Sequence, residues 1–257
     1  MIGGVRLATF NLLHGMSPAD RRVDLGRLAD AVRALDADVL AVQEVDRGQP
    51  RSHRADLTSV VADAAGAVSS RFAPAMTGAP GVWRPALGPA DRAPQYGVAL
   101  VSRFPVSDWD VWRLPRRRTT WVREPEHRLP RRRRDEPRVA LVATVETPEG
   151  ALTVVATHLA YLRGQSDEQL AYLRDRLADA RRPLVLLGDL NLALDRVLRT
   201  SGLRTLAEVP TFPVRAPTTQ IDHVLVDGPV RALAPARAVD TGVSDHRALV
   251  VDVTLGD

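Results

Sequence analysis

Apolar residues fall along the chain in short, nearly unbroken blocks. Residues 5–10, 39–42, 98–101, 139–145, 152–156, 184–187, 221–226 and 248–253 are rich in Val, Leu, Ile and Ala. Blocks of this length and β-branched content predict strands. Their weak alternation predicts strands covered on both faces. Thr147-Pro148-Glu149-Gly150 predicts a hairpin turn between two of them. Three segments carry a helical signature instead. Residues 24–35 place Leu25, Leu28, Ala29, Val32 and Leu35 on one face. Residues 55–65 end at Gly66, a left-handed C-cap. Residues 166–180 open with Ser166 and Gln169 in capping-box spacing and continue through Leu170, Leu173 and Leu177.

Two long stretches fit neither pattern. Residues 73–95 are rich in Pro, Gly and Ala, and residues 113–138 in Arg and Pro. Their length marks them as functional or irregular loops. No repeat or linker divides the chain, so one domain over residues 1–257 is expected.

Composition narrows the chemistry. Every basic side chain is Arg, and the net charge is only +4, so local clustering matters more than the total. Arg116, Arg117 and Arg118 form one cluster and Arg131 to Arg134 another. Such runs suit either a phosphate-bearing partner or a solvated loop. The chain has no Cys, which removes disulfides, thiolate nucleophiles and thiolate metal sites. No apolar run approaches the roughly 20 residues of a membrane span. The first residues lack the pattern of a signal peptide. A cytoplasmic protein, monomeric, is the expectation.

Polar residues recur where the apolar blocks end. Asn11 follows Phe10, Glu44 follows Gln43, and His158 follows Thr157. Asp189 and Asn191 follow Gly188, Asp222 lies beside Ile221, and Asp245 and His246 precede Ala248. Asn11 and Asn191 are the only asparagines. A carboxylate beside a core strand is costly unless paired or bound to a metal. Each of these residues alone could be a cap or turn; together they suggest one site at the strand ends. Oxygen ligands such as Glu44, Asp189, Asp245, Asn11 and Asn191 suit Mg²⁺, with Mn²⁺ an alternative. No HExxH, GxxxxGK[ST], GxGxxG or G-x-S-x-G motif is present.

The ordered set Thr9-Phe10-Asn11, Gln43-Glu44, Thr157-His158-Leu159, Gly188-Asp189-Leu190-Asn191, Ile221-Asp222-His223 and Ser244-Asp245-His246 resembles the endonuclease/exonuclease/phosphatase superfamily. The resemblance extends from residue 6 to about residue 253. It implies a deoxyribonuclease I-like α/β (α+β) fold: a four-layer sandwich of two packed mixed β-sheets flanked by helices. It also implies a Mg-dependent phosphoesterase that attacks a phosphodiester with metal-activated water, in a nuclease-like reaction. By resemblance, Glu44 is the principal metal ligand, with Asn11 and Asp245 close to the metal. Asp189 orients or deprotonates the attacking water, and Asn191 holds a phosphate oxygen or the nucleophile. His246, hydrogen-bonded to Asp222, contacts the phosphate as acid/base or as a charged clamp. His158 resembles the second phosphate-facing histidine of the sphingomyelinase-like and deoxyribonuclease-like branches.

The chain departs from many relatives at Val98, where a Gly-Asn-Ala segment carries Asn. Signatures of the 5-phosphatases are absent, and the 191–211 connection is short. Further candidates for substrate binding are Arg138, Arg47 and Phe212, with Arg51 another phosphate-reaching candidate. His14 is read as a turn residue, with lining the site the alternative, and His223 as a structural residue pointing to the opposite strand face. Trp83, Trp109, Trp112 and Trp121 could stack a base, with packing the competing role. The leading partner is a phosphate ester, including nucleic acid. The alternatives are a phosphatase or phospholipase-like hydrolase of a small molecule or lipid head group, and a non-catalytic binding module.

Overall fold

The computed structural model describes residues 4–86, 93–116, 120–122, 131–133, 135–162 and 164–256. Its first strands are β1 Val5–Asn11, β2 Val39–Arg47, β3 Ser69–Thr77, β4 Arg84–Pro85, β5 Gln95–Ser102 and β6 Val106–Arg113. Then come β7 Thr120–Val122, β8 Arg131–Arg133, β9 Val139–Thr147, β10 Gly150–His158 and β11 Leu184–Asp189. The last are β12 Arg204–Thr205, β13 Asp222–Asp227, β14 Val230–Ala232, β15 Arg237–Val239 and β16 Ala248–Leu255. The α-helices are α1 Leu25–Leu35, α2 Leu57–Ala65, α3 Gln165–Leu177 and α4 Leu194–Ser201.

Two mixed sheets result. One has the order β14-β16-β1-β2-β5-β3-β4, with β15 also pairing β16; the other has the order β12-β13-β11-β10-β9-β6. Each contains one parallel pair, β1 with β2 and β10 with β11.

The period of two along each strand divides the core into three layers. Val5 and Leu7 of β1, Leu152, Val154 and Ala156 of β10, and Val185 and Leu187 of β11 meet between the sheets. The alternate residues Ala8, Phe10, Leu40 and Val42 pack under α1 and α2. Val155, Leu184, Leu186 and Leu225 pack under α3 and α4. Both faces of the central strands are therefore buried, which is why their sequences read as continuous apolar blocks. The expected four-layer sandwich is the observed one.

Helix ends follow capping chemistry. Asp24 accepts from the Arg27 N–H at the start of α1, and Asp56 from the Thr58 N–H at the start of α2. Gly66 closes α2 with a φ of +66°. The expected Ser166–Gln169 cap is displaced by two residues: Asp167 accepts the Gly164 N–H at 3.2 Å. Gln169 instead accepts from the Ala160 N–H and donates to the Pro115 carbonyl. Residues 73–95, expected to be irregular, begin inside β3, include β4 and end in β5. Within 113–138 lies the β7–β8 pairing. The side chains of Arg117, Arg118, Trp121 and Arg131 to Arg134 lie outside the described residues. No described helix is long and apolar enough to cross a membrane.

Candidate active site

The inner-face period carries polar residues out of the core at one end of the sandwich. Asn11 continues the Val5–Leu7–Thr9 face of β1, and His158 the Val154–Ala156 face of β10. Asp189 continues Val185–Leu187, and Asp222 stands in line with Val224 and Val226. Strand register makes His158, Asp189 and Asp222 neighbours in one row, His158 opposite Asp189 and Asp189 opposite Asp222. Gly188 permits the close approach: a Cβ there would lie 2.1 Å from the Thr157 carbonyl oxygen.

Glu44 arrives by a different device. The β2–β5 pairing shifts register between Val42 and Val45, and Glu44 has a φ of +55°. This bulge turns a residue due on the helix side toward the cavity. Below it, Thr9 and Gln43 hydrogen-bond between buried side chains.

Asn11, Glu44, His158, Asp189 and His246 line a cavity of about 520 Å³ together with Asn191, Asp245, Phe212, Arg138 and His14, and Asp222 is buried behind His246. The Asn11 amide donates to Asp189 Oδ2 at 3.0 Å and to Glu44 Oε1 at 3.4 Å. The Asn191 N–H donates to Asp189 Oδ1 at 3.0 Å. Both Asp189 oxygens are therefore anchored. His158 Nε2 and His246 Nε2 lie 3.4 and 3.8 Å from Asp189 Oδ2. His246 Nδ1 faces Asp222 Oδ2 at 2.9 Å, and the Thr211 hydroxyl donates to the same oxygen at 2.6 Å. The Phe212 ring packs 4.9 Å from the His246 ring.

The electrostatics separates the titrating groups. Burial pushes the Asp189 carboxyl up, reinforced by the neighbouring Asp222 charge and opposed by His246. Burial alone would lower His246, but Asp222 raises it to about 9, helped by Asp189 and Asp245. Burial and the Arg138 charge hold His158 well below the ordinary imidazole value. Burial disfavours ionised Glu44; His14, His158, Arg138 and Asn11 outweigh it and hold the carboxyl at about 2.

Among the described residues, that ionised, half-buried Glu44 makes long contacts, with Asn11 at 3.4 Å and His14 at 4.0 Å. With Asp245 and Asn11 on the same cavity, it offers the oxygen-donor chemistry of a hard divalent cation. Asp189, Asp222 and His246 form a second candidate group, their ligand atoms within 4.8 Å of one another. In that group Asp222 Oδ2 is already committed to His246 and Thr211.

Nearly all the residues anticipated from the sequence converge here. Arg47 does not: it leaves β2 on the helix side, bonded to Asp56 at 2.8 Å and stacked over Phe72. Arg138 lines the cavity, as expected, with Nη1 against His158 and Nη2 donating to Glu136. His14, expected to shape a turn or line the site, has a φ of +47° and also faces Glu44. His223 points to the opposite face and bonds to the Leu192 carbonyl, as expected. Sequence reasoning missed Tyr96 and Met76, which join Trp83 and Arg51 in one cavity wall. Arg51 is gripped by buried Asp46 through two 2.8 Å bonds and lies over the Trp83 and Tyr96 rings. The repeated inner-face phase of Tyr96, Val98 and Leu100 was the available signal for Tyr96.

A model of the endonuclease/exonuclease/phosphatase family matches residues 8–246. The structure is similar to that of an endonuclease/exonuclease/phosphatase from Beutenbergia cavernae, with a TM-score of 0.74 and 26% identity, covering 98% of this chain and 72% of that one. It is similar to a mannosyl-6-phosphatase from Bacteroides thetaiotaomicron, with a TM-score of 0.64, 15% identity and coverage of 98% and 100%. It is also similar to the human nocturnin catalytic domain with bound sulfate, with a TM-score of 0.61, 20% identity and coverage of 98% and 95%. No curated protein matches the chain.

Proposed function

Because the chain belongs to the endonuclease/exonuclease/phosphatase family, a family of phosphoric ester hydrolases, we propose that it hydrolyses a phosphodiester, in a nuclease-like reaction supported by Mg²⁺. The observation that carries this reading is the doubly anchored Asp189 carboxylate between two histidines, with Glu44 bridged to it by Asn11.

Phosphoryl transfer demands positioning and charge neutralisation more than covalent chemistry. Asp189, fixed by Asn11 and Asn191, orients the attacking water and accepts its proton; burial raises its basicity for that task. His246, held as imidazolium by Asp222, clamps a phosphoryl oxygen and is placed to protonate the departing oxygen. Asn191 gives its amide N–H to the Leu159 carbonyl at 3.1 Å, which fixes the side chain on the cavity wall beside His158. Glu44, Asn11 and Asp245 would hold the cation. Once bound, the cation would polarise a phosphoryl oxygen and offset its negative charge.

The second histidine supports a diester over a monoester, since His158 matches the pattern of diester-cleaving branches. The deciding experiment compares bis-p-nitrophenyl phosphate, p-nitrophenyl phosphate, DNA, RNA and sphingomyelin in Mg²⁺, with Asp189→Ala and His246→Ala as controls. Turnover of diesters that both substitutions abolish is the expected result. Turnover of the monoester alone would reject the diester reading and favour a phosphatase.

A further inference from the structure

The two histidines that flank Asp189 are anchored by groups of opposite charge. Behind His246 stands Asp222, an acceptor. Behind His158 stands Arg138, whose Nη1 lies 2.9 Å from His158 Nδ1. A guanidinium has five N–H donors, no acceptor and no accessible neutral form. The contact is therefore a hydrogen bond only if Nη1 donates and Nδ1 offers its lone pair. In a neutral imidazole the single proton then sits on Nε2. Resting on the phosphoesterase reading of this cavity, we infer that Arg138 is a positioning residue that fixes His158 as the Nε2–H tautomer, a neutral donor aimed at Asp189 and at a phosphoryl oxygen bound beside it.

The surroundings agree. His158 Nε2 is 3.4 Å from the Asp189 Oδ2 acceptor. The other group near it, Asn191 Nδ2, gives one N–H to the Leu159 carbonyl; its second N–H would need a lone pair on Nε2, but that contact, at 3.3 Å, is longer than the 2.9 Å contact of the permanently charged Arg138 with Nδ1, and the ring has only one free lone pair to give. An Nε2–H therefore has one acceptor to serve. Protonating Nδ1 as well would set two cations against each other at 2.9 Å in a buried site. Arg138 is only 5% exposed, and Glu136 takes its Nη2 at 3.0 Å. The backbone holds it too: the Arg138 carbonyl accepts from the Leu114 N–H. Arg138 immediately precedes β9, and the β9–β10 register ends with Thr157 opposite Ala140. The same pairing thus delivers the histidine and its tautomer-setting partner together.

The consequence is a division of labour. His246 supplies charge that depends on pH, whereas the positive charge behind His158 is the permanent charge of Arg138. A carboxylate behind His158 would have favoured a second imidazolium; Arg138 replaces that with a directional neutral donor.

Long-range ¹H–¹⁵N NMR of the imidazoles in the Mg²⁺-loaded full-length protein reads the tautomer directly, with His158 assigned by its loss in His158→Gln. The expected wild-type spectrum has Nδ1 unprotonated and Nε2 protonated at neutral pH. An Nδ1–H tautomer or an imidazolium at His158 overturns the inference, whatever any variant does. Arg138→Lys, which keeps a donor, should preserve this signature. Arg138→Met should lose it and lower kcat about 10- to 100-fold, with KM changing less than about threefold. A folded Arg138→Met protein with unchanged signature and unchanged kcat also overturns it. If no ester is turned over but the signature is present, the proposed function fails while the tautomer assignment stands.

Discussion

Replacing Asp222 by Asn isolates the charge that holds His246. The substitution keeps the size of the side chain and leaves an oxygen for the Thr211 hydroxyl. It removes the negative charge 2.9 Å from His246 Nδ1. Asp222 is the group that lifts His246 to about 9 against burial. Without it, burial pulls the ring down against only Asp189 and Asp245, and a return to the ordinary imidazole value of about 6.5 sets the magnitudes that follow. Near pH 8 the imidazolium fraction then falls about 30-fold, and near pH 6 it hardly changes. The rate of Asp222→Asn relative to wild type should therefore recover as pH falls, leaving at low pH only the loss from a poorly oriented ring. In wild type the alkaline limb of kcat should lie near 9; in the variant it should move toward 6.5. The assay is kcat against pH on a chromogenic diester at saturating Mg²⁺. The same charge acts on stability. A histidine raised from 6.5 to about 9 contributes about 3 kcal/mol. That contribution is complete below 6.5 and lost as pH rises through 9. Thermal melts of wild type and variant should differ by roughly 5–10 °C at neutral pH and converge above pH 9. An alkaline limb that stays put in Asp222→Asn would refute the imidazolium role. A variant whose relative rate improves as pH rises would show that His246 works as a neutral base.

Three further outcomes are expected. Chelation by EDTA should abolish turnover and Mg²⁺ restore it. Glu44→Gln should lose at least about a hundredfold in kcat and the Mg²⁺-induced rise in Tm; a calorimetric Mg²⁺ titration unaffected by Glu44→Gln would displace the cation from this carboxylate. Asp189→Asn should lower kcat by roughly 10²–10⁴-fold, because it removes the proton acceptor and leaves one oxygen to accept from Asn11 or Asn191 instead of two; retention of more than about a tenth of the rate would assign the water to another group. Gly188→Ala should lower stability by about 1–3 kcal/mol, since its Cβ would fall 2.1 Å from the Thr157 carbonyl oxygen and force β10 from β11; an unchanged Tm would mean that the strands yield freely.

The central strands were legible because each has both faces buried. Residues such as Leu184 to Leu187 alternate between the inter-sheet core and the α3–α4 layer, and both destinations demand apolar side chains. The elements that escaped notice are the half-covered ones. In β6 Ser107, Asp108, Asp110 and Val111 are exposed, and the strand sits at a sheet edge. In α4 Val197 and Ser201 are the buried residues of a single short helix. In β3 Pro74 sits where the pairing to β5 shifts register, so a strand was mistaken for a Pro-rich loop.

The site was legible for a related reason. Along β1, β10, β11 and β13 the inner-face phase that places Leu7, Ala156, Leu187 and Val224 in the core must, one or two steps further, deliver Asn11, His158 and Asp189 to the cavity and Asp222 just behind it. A polar side chain in that phase at a strand end has nowhere else to go. Glu44 obeys no such phase. Its position depends on a bulge that only the partner strand reveals, so the sequence could mark its type but not its direction. Arg47 shows the cost of ignoring this: three residues on, the strand has resumed its alternation and the guanidinium emerges over Phe72 on the helix side. Arg138 was anticipated as a phosphate ligand because its sequence neighbours are basic. Its contact with His158 Nδ1, set by the β9–β10 pairing, could not be read from those neighbours. Residue type and strand phase therefore predict membership of such a site, while hydrogen-bond direction, which sets what each member does, is a property of the assembled sheet.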